Sequence, residues 1–147
     1  MTAIEKEDQL RRLVYEIQLM RGSAEVLQQR LELLQSAVAD LRMAESSLKG
    51  LKELDAGTPI LVPMGGGSFV NARLGELSKV IVGIGADVSI EMDFDGAIDD
   101  VSSRLTEAEG AGQSVQQQLE QILGQIQVHQ DVISRLGAEL RGEAAGV

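Results

Sequence analysis

Three features of the sequence are of the types that carry chemistry: a glycine-rich loop, a single histidine and a group of aspartates. The loop, Gly65-Gly66-Gly67-Ser68, follows a predicted strand, as a phosphate-binding loop does. However, no Lys-Ser/Thr pair follows it, no GxGxxG pattern is completed, and a second predicted strand rather than a helix comes next. We therefore interpret the loop as a hairpin turn.

The only histidine, His129, falls on an apolar heptad position of a predicted helix. No cluster of histidine, cysteine or carboxylate residues accompanies it in the sequence to complete a metal site, and no Ser/His/Asp arrangement can be built around it. We interpret His129 as a buried polar residue that fixes the register between two helices. The alternative is a pH-sensitive position that loosens the helix pair in acid.

Four aspartates lie at the start of the second predicted helix: Asp93, Asp95, Asp99 and Asp100. Their spacing does not match an EF-hand, whose ligands occupy a dedicated loop that ends in a bidentate glutamate. Asp95 is predicted to cap the helix, and Asp99 and Asp100 to complement the positive end of its dipole. We thus predict no catalytic, cofactor or metal site, and a protein that is not an enzyme.

The composition is that of a helical seam rather than of a compact aromatic core. The chain has 147 residues, a formal net charge of −10, no cysteine and only 2% aromatic residues. The negative charge argues against a nucleic-acid partner, and the missing cysteines exclude disulfides. Neither a signal peptide nor an apolar run of transmembrane length is evident. We expect a soluble, cytoplasmic protein with no membrane partner.

Both ends of the chain carry apolar residues at alternating spacings of three and four, which predicts two long helices that pair in a coiled coil. The predicted segments are an N-terminal helix over 3–55, a C-terminal helix over 95–141 and a flexible tail over 142–147. Gly57 and Pro59 are predicted to end the first helix. The matching lengths indicate that the two helices fold back on each other as an antiparallel pair within a single domain.

The middle, residues 58–93, is rich in β-branched residues and predicts two β-hairpins, with strands near 60–64, 68–74, 79–84 and 87–93. Isolated hairpins are marginally stable, and their edges can pair with other chains. The fold class is therefore α+β, with the hairpins as an assembly module. The residues predicted to mediate oligomerisation are Ile60, Val62, Phe69, Val70, Val80, Ile81, Val82, Val88 and Ile90.

In an antiparallel pair, the first apolar layers of one helix meet the last layers of the other at a distal tip. Coiled-coil ends fray, and the apolar surface they expose suits an interaction site; the alternative is that these residues only close the coil. The tip residues are Leu10, Leu13, Val14, Ile17, Ile133, Leu136 and Leu140.

The segment from Pro59 to Leu74, PILVPMGGGSFVNARL, and the segment from Lys79 to Val88, KVIVGIGADV, resemble the hairpin region of the α subunits of archaeal prefoldins. The flanking helices match the layout of that family, so the resemblance covers nearly the whole chain. The second hairpin is typical of the α class, because the β class carries one.

The resemblance implies a hexamer of two α and four β subunits, in which the hairpins form an inter-subunit β-barrel. It also implies an ATP-independent chaperone that captures unfolded polypeptides on the coiled-coil tips and delivers them to a group II chaperonin. The partners are then prefoldin β subunits, unfolded clients and that chaperonin, with no cofactor. The alternative function is a structural coiled-coil scaffold that oligomerises through its hairpins.

Overall fold

The protein was analysed as a computed structural model that describes residues 1–146. Two long helices flank two antiparallel hairpins, as the fold class predicted. The elements are α1 (Ala3–Lys52), β1 (Pro59–Gly65), β2 (Ser68–Arg73), β3 (Val80–Gly85), β4 (Val88–Met92) and α2 (Phe94–Ala145).

The N-termini of both helices are capped by side chains. At α1 the Thr2 hydroxyl accepts from the Glu5 amide at 3.2 Å, and the Glu5 carboxylate accepts from the Thr2 amide at 2.9 Å. This reciprocal pair satisfies donors that have no partner within the helix. At α2 the cap is Asp93, whose carboxylate accepts from the Gly96 amide at 2.6 Å. The prediction that Asp95 caps α2 was wrong, because α2 begins at Phe94 and Asp93 therefore takes the N-cap position.

The C-terminal ends differ from the predicted ones. Helix α1 ends at Lys52 rather than at residue 55, because the amide of Leu54 turns to the Leu51 carbonyl at 3.0 Å. Gly57 has the expected positive φ, 85°, but its amide donates to the Leu74 carbonyl and belongs to the entrance of the first hairpin. Helix α2 continues past residue 141 to Ala145, so 142–145, predicted as flexible tail, are helical. Val147 lies outside the described residues.

The chain divides into two compact units, of which the first combines Met1–Gln35 with the part of α2 from Gly110. Its core lies between the two helices, at the positions that the three-four spacing predicted. The cluster comprises Ala24, Leu27, Leu31, Val115 and Leu119, with Leu34 and Ile122 packed against it. Shortening a buried leucine such as Leu27 to alanine costs about 2–5 kcal/mol in cores of this kind.

The second unit, Ser36–Glu109, holds both hairpins and the adjoining turns of both helices. On α2 its buried side chains are Phe94, Ala97, Val101 and Leu105. Glu45 takes an a position in α1 and is half-buried. Its carboxylate accepts a hydrogen bond from the Ser102 hydroxyl at 2.5 Å, which satisfies a polar group inside an otherwise apolar seam.

The two hairpins share one turn geometry. A bulge at Gly65 or Gly85 precedes each turn, and both glycines have a positive φ, of 94° and 106°. The next two residues also have positive φ in both hairpins, which is the backbone of a two-residue type I′ turn. The first hairpin places glycines there, whereas the second places Ala86 and Asp87.

Candidate interaction surfaces

The first hairpin exposes apolar side chains on both faces. Val62 lies opposite Val70, and Ile60 opposite Ala72, on one face. Phe69 lies on the other face and is 60% exposed. The only charged residue of the two strands is Arg73.

The second hairpin buries one central side chain and leaves the rest of its apolar surface open. Val82, opposite Ile90 in the register, is buried, and Val80 is half-buried. Ile81, on the opposite face, is 76% exposed, and Val88 and Ile90 are also exposed. The guanidinium of Arg104 on α2 donates to the Gly83 carbonyl at 3.0 Å and ties this hairpin to the helix.

Three exposed apolar side chains of these hairpins were not among the predicted oligomerisation residues: Leu61, Met64 and Ile84. Leu61 lies between Ile60 and Val62 in β1, so strand alternation places its side chain on the opposite face. That alternation was the signal in the sequence that could have predicted it.

Each hairpin is a separate two-stranded sheet within residues 1–146, so every strand pairs along one edge only. The other edges present backbone donors and acceptors beside exposed apolar side chains. This combination favours pairing with strands of another chain. The predicted oligomerisation residues therefore lie where such pairing would cover them, with Val82 the exception because it is already buried.

The structure brings the predicted tip residues of both helices into one unit, but it does not expose them equally. Leu13, Ile17 and Leu136 are buried in the seam between the helices. Leu10, Ile133 and Leu140 are half-buried, and Val14 is exposed. The buried three are thus available to a ligand only if the helices separate.

Ion pairs connect the two helices at the tip. The Lys6 ammonium lies 3.4 Å from a carboxylate oxygen of Glu139 and also contacts Glu143. The hydrogen bond to Glu143 raises the pKa of Lys6 above its ordinary value. These contacts join the first turns of α1 to the last turns of α2.

His129 is half-buried and has a partner that the sequence did not reveal. Its Nε2 atom lies 2.8 Å from Oε2 of Glu16 on α1, and its Nδ1 atom lies 3.0 Å from the backbone carbonyl of Gln125. The ring thus contacts both helices, but it is not buried, whereas the register interpretation predicted a buried residue.

Three of the four aspartates at the start of α2 have structural partners. Asp93 caps the helix, Asp95 pairs with Lys52 of α1, and Asp100 lies 2.9 Å from the Arg104 guanidinium. The hydrogen bond from Lys52 to Asp95 raises the pKa of the lysine. Within residues 1–146 no group of three histidine, cysteine or acidic residues is arranged to hold a metal ion. No helix in the same range is long and apolar enough to cross a membrane.

Comparison with known proteins decides the family. The family model described as "Prefoldin subunit" matches residues 20–139. The chain belongs to the prefoldin family. Prefoldins are chaperones, and this prefoldin chain is a chaperone subunit that assembles with other prefoldin subunits.

Two curated relatives of this prefoldin chain are α subunits from archaea. Prefoldin subunit alpha of Methanopyrus kandleri is 36% identical over 78% of this chain and 73% of the relative. Prefoldin subunit alpha of Pyrococcus horikoshii is 34% identical over 80% of this chain and 82% of the relative. The resemblance inferred from the hairpin segments is thereby confirmed.

A solved structure shares the fold. One chain of the cryo-EM structure of filamentous PFD from Methanocaldococcus jannaschii aligns with a TM-score of 0.62. The alignment covers 82% of this chain and 97% of that chain, at 23% sequence identity. It supports the arrangement of two helices and two hairpins as the fold of this prefoldin chain.

Proposed function

We propose that the chain is an α subunit of a prefoldin hexamer, with two α and four β subunits, and that the complex holds unfolded polypeptides without ATP. The observation that carries the proposal is the family match combined with two hairpins whose apolar faces and strand edges are open. The complex then delivers its client to a group II chaperonin.

Assembly would proceed through the hairpins, whose strands continue into those of neighbouring subunits as a β-barrel. Val62 and Val70 face each other across the first hairpin, and Val88 and Ile90 lie exposed on the second. Burying a valine or isoleucine of this kind stabilises an interface by about 1.5–3 kcal/mol when it goes from exposed to fully buried.

Client capture would use the apolar surface at the distal end of the helix pair. Val14 is exposed there, and Leu10, Ile133 and Leu140 are half-buried. Several arms with weak contacts raise the effective concentration for one another, so each contact can be poor. Leu13, Ile17 and Leu136 would join this surface only after local opening of the seam.

Capture is tested by light scattering of a chemically denatured protein diluted into the assembled complex without nucleotide. The wild-type complex is expected to suppress aggregation. Replacing Leu10, Val14 and Leu140 by serine is expected to weaken suppression while leaving the native mass unchanged. Leu13 and Leu136 stay in place in this variant, because each is buried and its loss would destabilise the helix pair.

The matched control replaces Leu123 and Val128, two exposed apolar residues of α2, by serine. It removes a similar apolar area outside the tip and is expected to suppress aggregation like the wild type. If the tip variant protects as well as this control, the tip is not the client surface. If the wild-type complex assembles but gives no protection, the scaffold function is favoured instead.

A further inference from the structure

Helix α1 carries a second apolar stripe on the side opposite the seam. Leu19, Val26 and Leu33 recur at steps of seven residues. Tyr15, four residues before Leu19, and Gly22, between Leu19 and Val26, lie on the same side. The four larger side chains are 55–74% exposed. We call these five residues the outer stripe.

The outer stripe is not used by the fold of the chain. The seam of the same helix is formed by Ile17, Ala24 and Leu31, all of which are buried. In a two-helix pair the side opposite the seam is ordinarily polar. The apolar residues that recur on this side with heptad spacing remain exposed within residues 1–146. A stripe with this spacing is complementary to the apolar face of another α-helix.

A shallow groove beside Gly22 leaves room for the close approach of another helix. It has a volume of about 500 Å³ and extends from the outer stripe towards the seam, lined by Leu19, Gly22, Ser23, Val26 and Leu27. A side chain at Gly22 would meet nothing within 4 Å, so packing within the chain does not require glycine. Glycine destabilises a helix relative to alanine, but it lets another backbone come near.

The size of the outer stripe indicates a transient partner. A buried leucine or valine removes on the order of 100 Å² from water and a tyrosine about 200 Å², so side chains that are 55–74% exposed offer about 300 Å² in all. A stable dimer buries about 800 Å² per partner, of which about 450 Å² is apolar. The apolar area of the stripe is smaller than that, so the stripe is too small to hold a second copy of the chain by itself.

We propose that the outer stripe binds amphipathic α-helical segments of non-native polypeptides. Such a segment presents apolar residues at the same three-four spacing, and the rim of the stripe is mixed in sign, with Glu25, Arg30 and Glu32. The spacing of the apolar residues, rather than charge, then determines which polypeptide segments bind. The inference rests on the proposed holding function and adds a preference for clients with helical structure.

The test uses the assembled complex and a fluorescently labelled peptide of about 21 residues, three heptads with leucine at the apolar positions. A second peptide of identical composition has its apolar residues alternating with polar ones, which prevents an apolar helical stripe. Binding is followed by fluorescence anisotropy. The helical peptide is expected to bind the wild-type complex at least about tenfold more tightly than the reordered peptide.

Replacing Leu19, Val26 and Leu33 by serine is expected to weaken binding of the helical peptide by at least about tenfold. The control variant, in which Leu123 and Val128 are replaced by serine, is expected to bind the helical peptide as tightly as the wild type does. Equal binding by the stripe variant, or equal affinity for both peptides, would overturn the inference. A wild-type complex that suppresses aggregation but binds neither peptide would overturn it too and leave the holding function intact.

Gly22→Ala separates ligand contact from effects on folding. Alanine is expected to raise the melting temperature of the complex and, at the same time, to weaken binding of the helical peptide by several-fold. A variant that is more stable and binds unchanged would show that no helix approaches closely at Gly22. Failure of every variant and of the wild type to suppress aggregation would instead count against the proposed function itself.

Discussion

The Nε2 atom of His129 lies 2.8 Å from Oε2 of Glu16, which joins the two helices across the seam. The other ring nitrogen faces the Gln125 carbonyl, so both contacts of the ring are made to oxygen acceptors. The imidazole thus lies between an oxygen acceptor on each helix.

Glu16→Ala is expected to lower the free energy of unfolding by about 0.5–1 kcal/mol, because a half-buried hydrogen-bonding partner of His129 is lost. His129→Leu is expected to be neutral or stabilising, since leucine suits an apolar heptad position. Urea unfolding at neutral pH measures both. Glu25→Ala, at an exposed glutamate of the same helix, is the control. A loss equal to that of the control would mean that the contact contributes nothing to stability.

The spacing of apolar residues was enough to predict the helices, the seam, the hairpins and the position of His129. It could not predict Glu16 as the partner, because that contact depends on the axial alignment of two helices. The same limit applies to Asp95, which pairs with Lys52 instead of capping α2. The exposed repeat that includes Leu19, on the other side of α1, was not predicted, because heptad positions were assigned only to the seam.

The tip shows a second limit of sequence reasoning. Spacing placed Leu13 and Leu136 in the seam between the helices, where both are buried. It gave no sign of the pairing of Lys6 with Glu139 and Glu143, which joins the two helices beyond these layers. Such pairs become visible only once the length of α2, which reaches Ala145, is known.

Ser102→Ala is expected to make the protein more sensitive to acid. The hydrogen bond from Ser102 lowers the pKa of Glu45 below its ordinary value of 4.5. A lowered pKa in the folded state contributes stability that is present above pH 4.5 and lost as the pH falls through the folded value. Without the hydroxyl, the midpoint of acid unfolding should move to higher pH. Circular dichroism along a pH titration measures it, and the exposed Ser103→Ala is the control.

Lys6→Met is expected to destabilise the tip at neutral pH but not in strong alkali. The hydrogen bond to Glu143 raises the pKa of Lys6 above 10.5. This contribution is complete below pH 10.5 and is lost as the pH rises through the raised value. The difference from the wild type should also shrink in high salt, because exposed ion pairs are screened. Thermal unfolding followed by circular dichroism along a pH series measures the difference. A difference that persists in strong alkali would contradict the ionic origin.

Replacing Ala86 by asparagine and Asp87 by glycine is expected to stabilise the second hairpin by about 1 kcal/mol. Both residues have a positive φ, of 51° and 59°, which costs free energy for side chains other than asparagine and glycine. Gly66→Ala, at a φ of 57° in the first hairpin, is expected to have the opposite effect. Thermal unfolding of the assembled complex measures both, and a lower melting temperature for the Asn-Gly variant would contradict the turn assignment.

The most direct test of the central claim is native mass spectrometry of the chain, purified with its companion subunits, before and after addition of a denatured client. We expect one assembly of two copies of this chain with four copies of a second prefoldin subunit. After the client is added, we expect a species heavier by the mass of one client, formed without nucleotide. A chain that stays monomeric or forms only a homodimer, and that gains no client mass, would contradict the account.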